Sequence, residues 1–181
     1  MKKAWIIIGI IFLFIGGAFI GVYYGLTTTA DGSESADNQA QEKIEEERED
    51  IKGTITEKDL QTFAEQSLNP FGTEEKKTEL RDVHFQEFIH GMSHQKVKAS
   101  KKWGFYELHP KRVEWLLSAL DQVEVTHEAV YRDILVKWSE RDFTEVDQDH
   151  NAIWELQNGT VGKATGILSA EEEQAYIESQ K

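Results

Sequence analysis

Apolar residues are arranged in two different ways in this chain. From Ala4 to Leu26 they follow one another without a single charge, AWIIIGIIFLFIGGAFIGVYYGL, whereas from about residue 54 they recur three and four positions apart among polar residues. The first arrangement predicts a helix clad in apolar side chains all round, and the second a set of amphipathic helices that each bury one face. Residues 27–53 separate the two with scarcely an apolar side chain. Their Ser, Asp, Gly and Asn content, followed by an acidic run over 41–50, predicts a flexible solvated linker whose second half is transiently helical.

The second arrangement resolves into an all-α domain of about five to six helices over residues 54–181. Thr56 with Asp59 predicts a capping box opening a helix that carries Leu60, Phe63, Ala64 and Leu68, and Asn69-Pro70-Phe71-Gly72 stops it. A longer helix is predicted from about Glu74 to Ser100, with Phe85, Phe88, Ile89 and Met92 on its buried side. Pro110 sits where the first turn of a helix accepts it, ahead of Val113, Leu116, Leu117 and Leu120. Val130, Tyr131, Ile134, Leu135 and Trp138 mark the next helix. Val146, Ile153, Trp154 and Leu156 mark another, closed by Asn158-Gly159, and Ser169 with Glu172 caps a last short one containing Ala175, Tyr176 and Ile177. No segment alternates as a strand would.

Length changes the reading of the first stretch. As a helix, residues 4–26 would extend roughly 34 Å against a hydrocarbon core of about 30 Å, so they predict a transmembrane anchor in the lipid bilayer. Lys2 and Lys3 precede it and acidic residues follow, which predicts a cytoplasmic tip at residues 1–3 and a C-terminal part outside the cytoplasm of a single-pass cell-membrane protein. Trp5 at one end and Tyr23 and Tyr24 at the other fit interfacial belts. A cleaved signal peptide is the rival reading, since Thr28 and Ala30 are small residues at a tolerated spacing, although the apolar run exceeds the usual 7 to 15 residues or so of such peptides. Gly17, Gly21 and Gly25 share one helix face and offer close approach to a second copy in the membrane; glycine is also simply common in membrane helices.

Charge and cysteine content remove several classes. The 33 acidic residues outnumber the 20 basic ones for a formal net charge of −13, which disfavours nucleic acid as a partner. There is no cysteine, so disulfides, thiol nucleophiles and zinc ribbons are excluded.

Candidate chemistry is sparse. His90 and His94 are four apart on a predicted helix, with Glu87 within about 60° of them in projection, a face that could offer imidazoles to zinc or another divalent metal. Gly91 stands where a zinc protease of the HExxH type needs its glutamate, so that chemistry does not follow, and a third ligand must come from elsewhere. The two rings project opposite Phe85, Phe88 and Met92, so a solvated or capping role is the simpler expectation. Lys96, Lys98, Lys101, Lys102, Lys111 and Arg112 gather positive charge around Trp103, Phe105 and Tyr106. That group could meet an anionic envelope polymer, lipid head groups or the chain's own acidic 42–50 segment, or form a plain solvated face. Asp147, Asp149 and Asn151 open like a calcium loop, but Ala152 and Asn158 occupy the positions that need glycine and a bidentate acid; the aspartates fit a helix N-terminus better. Gly159 to Gly166 lacks the first glycine and the magnesium ligand of a phosphate loop and predicts a connection between helices.

The strings GMSHQKVKASKKWGFYELHPKRVEWLL, from Gly91 to Leu117, and DFTEVDQDHNAIWELQNGTVGKATGILSAEEEQAYI, from Asp142 to Ile177, carry a resemblance. Residues 75–178 or so resemble an uncharacterised domain-of-unknown-function family of single-pass membrane proteins from endospore-forming Gram-positive bacteria. The resemblance implies an anchored, extracytoplasmic protein and brings no catalytic or binding residues with it. The expectation is therefore a membrane-tethered helical module that binds a partner, a cell-envelope protein or anionic polymer, without recognisable catalytic machinery and without a required cofactor. The alternative is a metal-dependent hydrolase built on the His90/His94 face.

Overall fold

A computed structural model describes residues 54–181 of the chain. The predicted anchor, its Gly17, Gly21 and Gly25 stripe and the 27–53 linker lie outside the described residues. Among the described residues, no helix is long and apolar enough to cross a membrane.

Among the described residues, six α-helices follow in order: α1 Glu57–Glu65, α2 Asp82–Ser93, α3 Pro110–Leu120, α4 Glu128–Ser139, α5 Val146–Leu156 and α6 Ala170–Glu178, with a single 3-10 turn at Lys77–Glu79. Pairing of extended chain within the described residues is limited to one antiparallel bridge, Val97 with Ile167. Local chemistry sets the helix starts. Thr56 and Asp59 form the capping box of α1, and Ser169 and Glu172 that of α6, each side chain satisfying an N–H that the helix cannot. Pro110 opens α3, where His109 Nδ1 accepts the Lys111 N–H at 3.2 Å.

The long helix expected over residues 74–100 is corrected to twelve residues, Asp82–Ser93. Before it, the Asn69 amide organises a turn, accepting from Phe71 N at 2.8 Å and donating to Thr73 Oγ1 at 2.6 Å and Glu75 O at 3.1 Å. After it, the backbone finds partners in a distant segment: Lys98 N donates to Gly166 O at 2.8 Å and Leu168 N to Lys96 O at 2.7 Å. Those long-range bonds replace the ones a continued helix would make, which no local propensity reveals.

Helix α2 lies centrally, packed on α4 and α5, while α3 packs on α4 and on the 3-10 turn. Its apolar side meets an aromatic layer in which Phe71 and Phe88 stack with centroids 3.9 Å apart, and Phe85 and Tyr131 stack at 5.4 Å. Burying each such ring contributes about 1.5–3 kcal/mol, so this layer holds α2 against its neighbours. On α5 the buried positions are Val146, Asp149, His150 and Ile153, one stripe facing inward. Asp147 and Asp149 do lie in the first turn as expected. The Asp149 carboxylate is in addition buried, accepting from Lys137 Nζ at 2.5 Å and Trp138 Nε1 at 3.0 Å, which ties α5 to α4. Burial raises its pKa above the ordinary aspartate value although Lys137 pulls the other way.

Candidate metal centre

The stripe that fixes α5 places His150 against the side of α2 that carries His90 and His94. His94 closes α2 with helical backbone angles, φ −57° and ψ −33°, so it stays on the face set by His90 one turn earlier. The three rings form a triangle with centroids 4.7 Å apart for His90 and His94, 4.6 Å for His90 and His150, and 5.6 Å for His94 and His150. One ring nitrogen from each lies within 4.8 Å of the other two. Of the solvated or capping role expected for the first two, His94 does stand at the helix C-cap but is not solvated: His94 is 1% exposed, His150 0%, and His90 half-buried. Helix α2 is covered on both sides, by the aromatic core and by α5.

Each imidazole is oriented by an oxygen on its other side. His90 Nδ1 meets Gln157 Oε1 at 2.5 Å, His94 Nδ1 meets the Gly104 carbonyl at 2.7 Å, and His150 Nδ1 meets Asn151 Oδ1 at 3.2 Å. Oxygens of this kind hold the proton on Nδ1 and leave Nε2 as a lone pair. Asn151 cannot turn over, because its Oδ1 accepts the Ala164 N–H at 2.8 Å while its Nδ2 donates to Ala164 O at 3.1 Å.

The arrangement is one proton short. His90 Nε2 and His150 Nε2 are 3.0 Å apart. With Gln157 presenting its oxygen, His90 keeps its proton on Nδ1, so the hydrogen between the two Nε2 atoms must come from His150. A neutral His150 that supplies it leaves a lone pair facing Asn151 Oδ1. Protonating His150 is opposed by burial, which lowers its pKa, and the same cause, reinforced by the nearby His90, holds His94 well below the usual histidine value. Two changes relieve the shortage: inverting the Gln157 amide, or a cation that accepts both Nε2 lone pairs.

A cleft of about 330 Å³ opens beside the triad, with Glu87, His90, His94, Lys101, Trp103 and Trp154 in its walls. Glu87, expected as a possible ligand, lines this cleft one turn before His90 and stands outside the three-nitrogen group. The far wall is the Gln157 to Gly162 turn. Trp154 Nε1 donates to Val161 O at 2.9 Å, and Gly159 lies so close to this indole that a Cβ there would fall 2.4 Å from the ring.

Folding gives most of the lysine group partners within the domain. Lys96 pairs with Glu173 at 2.8 Å and Lys98 with Glu172 at 3.0 Å, both on α6, and Lys111 pairs with Glu57 at 2.5 Å. Lys102 donates to His94 O at 2.7 Å and lies 4.0 Å from the Tyr176 ring centroid; burial lowers its pKa to about 8. Arg112 and Tyr106 are in the core, and Phe105 packs edge-on against Tyr176 at 5.5 Å. Trp103 remains 62% exposed. Sequence reasoning missed His150, Gln157 and Asn151. The available signal was polar residues, Asp149 and His150, at inward positions of the α5 stripe between Val146 and Ile153.

Residues 89–178 match the profile of a family described as a family of unknown function, DUF6241, a span that contains all three histidines. The match supports the resemblance to a domain-of-unknown-function family and carries nothing about membranes or organisms. No curated protein and no solved structure matches the chain.

Proposed function

We propose that the helical domain binds a divalent transition metal of the zinc class through His90, His94 and His150, and that the chain presents this centre from its membrane anchor outside the cytoplasm. The tether rests on the uncharged 4–26 stretch and on Lys2 and Lys3. The observation that carries the metal reading is the convergence of three imidazoles, each oriented from behind by its own oxygen acceptor. Three neutral nitrogens suit zinc, nickel or copper better than calcium or magnesium, which prefer oxygen. At Zn–N distances of about 2.0–2.1 Å, tetrahedral ligands stand roughly 3.3 Å apart. The 3.0 Å pair needs to open by a few tenths of an ångström, and His94 to swing inward.

Three protein ligands leave a fourth position, on the side where the cleft meets His90 and His94. The expected anionic-polymer surface has less support, because Lys96, Lys98 and Lys111 are paired with carboxylates of the same domain. The hydrolase alternative shares the triad and requires a water at that fourth position.

Calorimetric titration of the full chain with zinc tests the reading. One equivalent is expected to bind, His150→Ala to weaken it at least about 100-fold, and Gln157→Ala about 10- to 100-fold, the usual effect of removing an outer-shell partner. Gln157→Glu, which can only accept from His90, is expected to keep or tighten binding. Zinc affinity unchanged in His150→Ala would contradict the assignment.

A further inference from the structure

We infer that the cleft beside the triad takes a small organic anion with a flat, aryl-like body, one of its anionic oxygens filling the metal's fourth position and another meeting Lys101. The inference rests on the metal reading above and names what that centre would bind.

Charge is the first reason. Three neutral imidazoles leave a divalent ion's charge uncompensated, so its remaining position favours an anion. Lys101 adds a second cation in the same wall. Of the cations at positions 96 to 112, Lys96, Lys98 and Lys111 are paired with carboxylates, Lys102 is bonded to the His94 carbonyl, and Arg112 is buried on two carbonyls. Lys101 alone among them has no partner within the described residues. Its backbone is packed against Gly162, at φ +92°, so closely that a Cβ there would fall 2.6 Å from the Lys101 carbonyl oxygen. Glu87 is the acidic group in the wall, leaving the site cationic once a metal is bound.

Shape is the second reason. The volume of about 330 Å³ lies at the lower end of small-molecule sites, roughly 300–1,000 Å³, and excludes a folded partner. Among the described residues, Trp103 in the cleft wall is the most exposed of the large apolar side chains and offers a flat surface beside Lys101. The opposite wall is held before any ligand arrives by the Trp154 to Val161 hydrogen bond. A preformed wall, an indole and a cation beside a metal select a planar body bearing an oxyanion.

Cobalt(II) makes the fourth ligand visible. The full chain loaded with one equivalent is titrated with benzoate, phenyl phosphate and acetate while the visible d–d absorption is followed. The bands are expected to shift with an aryl oxyanion, with benzoate bound about tenfold more tightly than acetate. Lys101→Ala should weaken benzoate about tenfold without altering the ligand-free cobalt spectrum, and Trp103→Ala should abolish the preference over acetate. A cobalt spectrum that forms normally and responds to neither benzoate nor phenyl phosphate overturns this inference and leaves the metal centre standing. Failure of the cobalt spectrum to form at all overturns the metal centre, and this inference with it.

Discussion

Replacing Arg112 with alanine is expected to destabilise the domain by about 3–5 kcal/mol, seen as a lower midpoint in urea unfolding of the full chain. Arg112 is 1% exposed and joins three segments. Its Nε donates to Pro70 O at 2.9 Å and its Nη1 to Glu107 O at 2.8 Å, while its guanidinium carbon lies 5.1 Å from the Phe71 ring centroid and 5.7 Å from that of Tyr106. Alanine removes both donors and opens a void beneath the aromatic layer that positions α2. Burial lowers the Arg112 pKa to about 10, so the protein holds this cation against a desolvation penalty. Methionine, which keeps the volume and discards the charge, is therefore expected to cost about half as much as alanine. An alanine variant within about 1 kcal/mol of the parent would show that the two carbonyls find water or other donors and that Arg112 is not a keystone.

The second expected result is a loss of stability in mild acid when metal is withheld. His94 and His150 have folded-state pKa values below the ordinary 6.5, both chiefly through burial. Below about pH 6.5 the unfolded chain therefore binds more protons than the folded one, and stability rises with pH through that window. The contribution is fully present above 6.5 and is lost as pH falls toward the folded pKa values, at up to about 1.4 kcal/mol per pH unit for each proton taken up. Urea midpoints at pH 7.5, 6.5 and 5.5 in the presence of a chelator should fall steeply over the last interval. Asp149, whose pKa is raised by burial, contributes with the opposite sign where it titrates. His94→Gln should flatten the slope. Added zinc, by occupying the same lone pairs, should hold the midpoint up at pH 6.5, by about 2.7 kcal/mol at a hundredfold excess over its Kd. A midpoint that rises on acidification would contradict buried neutral histidines.

Much of the helical frame could be read locally. The Thr56/Asp59 and Ser169/Glu172 boxes, Pro110 at a first turn and the stripe from Tyr131 to Trp138 are short-range signals, and the chain folds as they indicate. The helix expected to reach Ser100 stops at Ser93, because Lys96 and Lys98 bond to residues about seventy positions later, beyond the reach of periodicity. The candidate site was half legible for the same reason. His90 and His94 advertise themselves by their spacing, whereas His150 joins them only through the packing of α5 on α2, and the oxygens that orient the rings come from Gly104, Asn151 and Gln157 on other segments. The lysine cluster shows the same limit. Its members find carboxylate partners on α1 and α6 that sequence proximity does not reveal.

X-ray absorption at the zinc edge, on full chain carrying one equivalent of the ion, examines the triad itself. Three imidazole nitrogens at about 2.0–2.1 Å with one further light atom are expected, and two imidazoles in the His150→Ala variant. Six oxygen neighbours, or a spectrum indifferent to that substitution, would place the metal elsewhere and leave His90, His94 and His150 as a buried hydrogen-bonded cluster.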